Sequence, residues 1–131
     1  MIRISEAELE VMKVIWEKKE ATSLEIIEEL KSFNWKFNTI RTMIKRLQNK
    51  GAIEIAKKEG KTYTYRAAID EVKYKTEATK DLIKKLYNNS VTDFVYEYCI
   101  DNHVSPDEIK KVIIEIDEKE KLKEKNKEKG M

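Results

Sequence analysis

One cysteine, one proline, one histidine and three glycines are spread over 131 residues. With Cys99 alone, neither an intramolecular disulfide nor a cysteine cluster for a metal can form. So little proline and glycine leaves few loops, and helix is expected to dominate. No apolar run approaches the roughly 18 residues that would suggest a membrane span, and no stretch reads as a signal peptide or lipidation site. The expectation is a soluble cytoplasmic protein with no membrane partner. There is no Gly-rich phosphate loop, carboxylate pair or metal-ligand cluster, so no catalytic residue, metal or cofactor is assigned. Cys99 and His103 are close in sequence, but Cys99 continues an apolar helical stripe and reads as a small core residue. His103 falls in a helix break and reads as a surface or capping residue.

What the chain does carry is charge. Hydrophobic and charged residues each make up 40% of the sequence, and the formal net charge is only +2. The distribution is uneven. Residues 1–35 hold five bases and eight acids, a net of −3, and residues 67–131 hold thirteen bases and fifteen acids, a net of −2. Between them, residues 36–66 hold nine bases against Glu54 and Glu59, a net of +7. A basic block between two acidic ones is a local footprint for a polyanion.

The centre of that block is the run from Trp35 to Gly51. Ile40, Met43, Ile44 and Leu47 recur at i, i+3, i+4, i+7, one apolar stripe of an α-helix. At about 100° per residue, the opposite line carries Asn38, Thr42, Lys45 and Asn49, flanked by Arg41 and Arg46. Asn38 is expected to cap the start and Gly51 to end the helix in a left-handed C′ position. The outer face holds no acid. Amides, hydroxyls, ammonium and guanidinium groups are what read base edges and phosphates, whereas an ordinary solvated face usually mixes both charge signs.

The flanking segments fit that centre. Ser5-Glu6-Ala7-Glu8 is a capping box, and Leu9, Met12, Ile15 and Trp16 give a helical stripe over about 5–18. Glu20-Ala21 reads as a link or a one-step strand. Thr22-Ser23-Leu24-Glu25 is a second capping box, opening a helix to about 31 or 32 with Leu24, Ile27 and Leu30 on one face. The aromatics of Phe33–Phe37 are expected to anchor the corner to the core. After Gly51 the period becomes two: Ile53 and Ile55, then Thr62 to Arg66, around a polar turn of Lys57–Lys61, read as a β-hairpin. Two helices joined by a short turn, the second basic and followed by a hairpin with lysines at its tip, make a winged helix-turn-helix. The candidate DNA contacts are Lys36, Asn38, Thr39, Arg41, Thr42, Lys45, Arg46, Asn49 and Lys50 on the helix, with Lys57, Lys58 and Lys61 on the hairpin. Residues 38–42 are expected to meet bases, and Arg46 and Lys50 to lean toward phosphate.

From Asp70 three more helices are expected, over about 70–88, 91–101 and from Ser105 to about 117. Ser105-Pro106-Asp107-Glu108 is a strong start for the last, with Pro at the first helical position. Residues 118–131 read as a charged tail, frayed helix or disordered. The fold class expected is mainly α with a small hairpin: a winged helix over 1–69, then a helical dimerisation unit over 70–117. Ile83, Leu86, Val91, Phe94, Val95, Tyr98, Ile109, Val112, Ile113 and Ile116 expose more apolar surface than three helices cover alone. Pairing across a two-fold axis would bury it, at roughly 1.5–3 kcal/mol per fully buried large side chain. The other possibility is that these helices fold back on the N-terminal domain.

Three stretches in register carry a family likeness: Ile4 to Trp16, Thr39 to Gly51, and Gly60 to Tyr65. They resemble the start, the recognition helix and the wing of the penicillinase-repressor family, the BlaI/MecI type to which copper-responsive CopY repressors also belong. The likeness is close over about residues 4–70 and alignable to about 117. It implies a homodimeric repressor whose third helix enters the major groove of an inverted-repeat operator with TGTA/TACA-like half-sites. In antibiotic-responsive members a membrane sensor-protease system inactivates the repressor by cutting an Asn-Phe bond in the dimerisation helices. The matching pair here is Glu97-Tyr98, which departs from that pattern. The copper-responsive branch ends in paired Cys-x-Cys motifs, which this sequence lacks, so the likeness implies no metal sensing by that route. A winged-helix module that binds an acidic partner protein through the same basic face is the other function the residues allow.

Overall fold

The structure, a computed structural model, describes residues 2–130. The chain forms two compact units, Met1–Thr79 and Lys80–Met131.

The first unit is a winged helix. Helix α1 (Glu6–Lys18) opens on the expected capping box: Ser5 Oγ accepts from the Glu8 N–H, and Glu8 Oε1 accepts from the Ser5 N–H. Strand β1 (Glu20–Thr22) follows. Helix α2 (Ser23–Glu29) has its own capping box between Thr22 and Glu25 and is shorter than its pattern predicts. The chain continues as a 3₁₀ turn over Lys31–Phe33 and reverses at Asn34, which is left-handed with φ 57°. Helix α3 (Phe37–Asn49) comes next. Gly51 has φ +80°, and the N–H groups of Gly51 and Ala52 bond back to the carbonyls of Gln48 and Leu47. That is a Schellman end, the left-handed stop expected of Gly51.

Strands β2 (Ile53–Glu59) and β3 (Thr62–Ala67) make the hairpin, and β1 adds to its other edge, giving an antiparallel sheet in the order β1-β3-β2. The strands run further than their alternation predicts. Lys57 and Lys58 lie in β2 after a bulge at Ile55/Lys57, and the turn itself is only Gly60-Lys61. The bulge explains the difference, because one inserted residue breaks the period of two.

The core is built from the stripes of the three helices with Ala21, Ala52 and Ile53: Val11, Met12, Ile15, Ile26, Ile40 and Leu47 are among its most buried residues. Leu24 is not among them. It is 66% exposed, while Ile26 and Ile27 form the buried face of α2 and Leu30, at its C-cap, is buried as expected. Trp16 closes the base, donating from Nε1 to the Ile69 carbonyl at 3.1 Å and setting its ring 5.8 Å from that of Tyr74. These contacts tie the first turn of α4 (Glu71–Tyr87) to the winged helix.

The second unit holds the end of α4, then α5 (Val91–Asp101) and α6 (Pro106–Lys129). Ser90 and Ser105 cap the two helices, and Pro106 takes the first helical position. Residues 118–129, expected to be frayed or disordered, continue α6 without a break. Glu and Lys are good helix formers, and Asp117 pairs with Lys121 at 3.1 Å in the i, i+4 order that favours a helix. Tyr87, Phe94 and Tyr98 make a chain of ring contacts at 5.4 and 6.2 Å, but no residue of α5 or α6 is buried.

Candidate nucleic-acid interface

Helix α3 turns Ile40, Met43, Ile44 and Leu47 into the core and leaves everything else outside. Asn38, Thr42, Lys45 and Asn49 line its exposed ridge, with Thr39 and Arg46 on one side and Arg41 on the other. A shallow cleft runs along each flank. One is lined by Ser5, Ala7, Asn38, Thr39, Thr42, Met43 and Arg46, the other by Ser23, Arg41, Ile44, Lys45, Gln48 and Tyr65. The ridge therefore stands proud between the starts of α1 and α2, as a helix must if it is to enter a groove about 12 Å wide.

The charges on this face are available. Among the described residues, Lys36, Arg41, Lys45 and Arg46 have no carboxylate partner, and neither does Lys61 in the hairpin turn. Lys58 lies over the Tyr63 ring at 5.3 Å. Lys57 reaches Glu59 at 3.7 Å, and both are exposed, so the pairing is weak. Arg66 is committed to Glu54 across the hairpin at 2.8 Å. Tyr65 packs beneath the wing against the core, and burial, with Tyr63 nearby, pushes its hydroxyl above the ordinary tyrosine value.

Two sequence expectations for α3 need correction. Asn38 is not the N-cap. Lys36 holds that place, and no side chain caps the first turn. Lys50 does not lean outward. Its Nζ donates to Glu8 Oε1 at 2.6 Å and to the Arg3 carbonyl at 2.9 Å, so it joins the end of α3 to the start of α1. The competing principle is simple: a nearby carboxylate that is only 3% exposed claims the ammonium group. Burial alone would raise the Glu8 carboxyl. The Lys50 hydrogen bond, with the Ser5 N–H and the Lys50 charge, instead holds it below the usual glutamate value.

The corner before α3 also departs from expectation. Phe33 and Trp35 stack with centroids 4.6 Å apart, and Trp35 packs against the core. Phe37 does neither and stands in solvent at the first position of α3. An aromatic at a corner reads as an anchor, so composition alone does not mark Phe37 as a contact. Its place one residue before the polar ridge was the available signal.

In the second unit the residues expected at a dimer interface gather on connected faces. Val91 and Val95 of α5 and Ile109, Val112, Ile113 and Ile116 of α6 line one apolar groove of about 760 Å³, with Cys99 in its wall. Phe94 and Tyr98 lie on the side toward Tyr87. Ile83 is half-buried and Leu86 exposed on α4. Glu97 and Tyr98 are exposed within the body of α5. Among the described residues no group of three or more His, Cys, Asp or Glu is placed to hold a metal, and no helix is long and apolar enough to cross a membrane.

Comparison with known proteins agrees with this architecture. The model of the family described as penicillinase repressor matches residues 4–118. The chain is 38% identical over 108 residues to the penicillinase repressor of Bacillus licheniformis, spanning 82% of this chain and 84% of that protein. It is 40% identical over 112 residues to the methicillin resistance regulatory protein MecI of Staphylococcus aureus strain N315, spanning 83% and 89% respectively. Among solved structures, the DNA-binding domain of the repressor BlaI superposes with a TM-score of 0.50 at 48% identity, over 53% of this chain and 85% of that one. With the family model matched over residues 4–118 and the winged helix in place, the chain belongs to the penicillinase repressor family.

Proposed function

We propose that this protein is a sequence-specific DNA-binding transcriptional repressor that acts as a cytoplasmic homodimer on an inverted-repeat operator. One observation carries the reading: α3 presents an acid-free ridge of Asn38, Thr42, Lys45 and Asn49 between unpaired Arg41 and Arg46, all exposed. Phosphate contacts would come from Lys36, Arg46 and the wing lysines, whose ammonium groups neutralise charge without reading sequence. Base contacts would come from Asn38, Thr39, Arg41, Thr42, Lys45 and Asn49. The named function of the relatives, repression, supports the same reading.

Dimerisation is supported by the second unit. Val91, Tyr98, Val112, Ile113 and Ile116 are all more than half exposed, and apolar faces of that extent mark an interface rather than a free surface. A second copy of the chain supplies a matching face and a two-fold axis, which an inverted-repeat operator mirrors. Cleavage at Glu97-Tyr98 by a cognate sensor-protease would remove α6 and the end of α5 from this surface, and so release the operator.

The test is fluorescence anisotropy of the full chain on duplexes recovered by binding-site selection, over a range of salt. The expected result is a recurrent inverted repeat, bound far more tightly than random DNA, with log K falling linearly against log salt. Selection that enriches no sequence, or affinity for an acidic protein without affinity for DNA, would overturn it.

A further inference from the structure

The hydrogen-bonding ridge of α3 leaves one exposed group out of account. Phe37 is 64% exposed, and among the described residues its ring touches no other ring or cation, while both aromatic neighbours are engaged. As the first residue of a helix it has its Cα–Cβ bond tilted toward the N-terminus. The ring therefore projects ahead of α3, at the end that reaches deepest into the major groove in helix-turn-helix complexes. Phe37 and Arg41 are four residues apart, about 40° around the helix axis and about 6 Å along it. They occupy one edge of the helix, beside the ridge rather than on it.

In the major groove the apolar feature of an unmodified base pair is the 5-methyl group of thymine. We propose that Phe37 is a specificity-determining residue that packs on a thymine 5-methyl group, one or two base pairs from the base read by Arg41. The interval follows from the helical spacing against the 3.4 Å rise per base pair. The inference rests on the DNA-binding reading above and adds to it a second recognition chemistry, apolar contact beside hydrogen bonds. A phenyl ring cannot hydrogen-bond to a phosphate, and its neighbour on the ridge side, Asn38, is polar.

The test uses the full chain and its selected operator, with each thymine replaced in turn by deoxyuridine, which deletes the methyl group and keeps the base pair. For the unaltered protein, one position in each half-site is expected to weaken binding about fourfold, the worth of one buried methyl-sized group. For Phe37→Ala that position becomes indifferent to the replacement, while Phe37→Leu retains the effect. Because Phe37 is exposed, both variants are expected to keep the thermal midpoint of the parent. The proposal is overturned if the deoxyuridine profile of Phe37→Ala matches that of the parent, or if Phe37→Ala weakens operator and random DNA alike, which would place the ring on the sugar-phosphate backbone. It is also overturned if the variant changes oligomeric state with its profile intact, which would make the ring a protein contact. Failure of the parent itself to bind any duplex would instead overturn the DNA-binding reading.

Discussion

Lys50 Nζ lies 2.6 Å from Glu8 Oε1, joining the last turn of the recognition helix to the first turn of α1. Glu8 is 3% exposed and serves two masters: the capping box of α1 and the ammonium group of Lys50. The pair holds the C-terminal end of α3 to the start of α1, so Lys50 is a positioning residue. Lys50→Ala is expected to cost about 1–3 kcal/mol of stability, because it strips a partner from a buried carboxylate. The slope of log K against log salt should stay as it was, since no phosphate contact is lost. A slope reduced by about one, with stability unchanged, would return Lys50 to the DNA surface.

The same pair makes stability depend on acid. The Glu8 carboxyl is held below its ordinary value in the folded protein, so its contribution is fully present above the unfolded-state value. It is lost as pH falls through that value toward the lower folded one. Glu25, held down by the backbone N–H and hydroxyl of Thr22, acts in the same direction. Glu8→Gln cannot titrate. It should be less stable than the parent at pH 7 and lose less on going to pH about 3.5, as read from denaturant midpoints at the two values. Parallel losses in parent and variant would mean that Glu8 contributes nothing to the acid response.

The wing gives a purely electrostatic prediction. Lys61 sits in the two-residue turn with no carboxylate partner among the described residues. Lys61→Ala should weaken operator and random DNA by the same factor and flatten the salt slope by about one unit. An unchanged slope would place the wing away from DNA.

How much of this was legible beforehand varied with the physics of each element. Ile40, Met43, Ile44 and Leu47 are all buried as their spacing required, because burying a stripe leaves a helix one way to lie. Both capping boxes form, since four residues of local sequence are sufficient for them. What failed depended on tertiary partners. The partnership of Lys50 with Glu8 spans 42 residues. Composition makes Phe37 an anchor, but the stacked Phe33 and Trp35 fill the corner. The continuation of α6 past 117 lacked an apolar stripe to announce it, and rests on helix propensity and ion pairs.

The exposed groove of the second unit predicts a sharp effect of charge. Ile113 lies in its wall and is exposed in the single chain. If a second copy covers it, Ile113→Asp buries an unpaired carboxylate at the interface and should leave the protein monomeric by sedimentation. Full-operator affinity should fall while half-site binding persists. A chain ending at Glu97 should behave alike, since it lacks α6 and the end of α5. Because Glu97-Tyr98 lies inside a helix, a protease that takes extended substrates must first unwind that turn, so if the proposed cleavage occurs it should quicken in Ile113→Asp. A truncated chain that remained dimeric with full affinity would refute the role of these helices.

Sequence reading turns on Arg41 and Thr42, and the structure distinguishes what each can do. Arg41 has its guanidinium free, a fork suited to guanine O6 and N7. Thr42 has already donated its hydroxyl proton to the Asn38 carbonyl at 2.8 Å. It can still accept, as from an adenine amino group, and its methyl can meet a thymine methyl. Arg41→Ala should cost about 1–3 kcal/mol on the operator and relax one base position in each half-site. Thr42→Val separates the two remaining roles, because it keeps the methyl and removes the acceptor. Retained affinity and preference would assign Thr42 to a thymine methyl, and loss at one adenine would assign it to the amino group. Binding-site selection with both variants reads all of these at once. Identical base preferences in the Arg41→Ala variant and the parent would show that the edge of α3 nearest α2 does not face the bases.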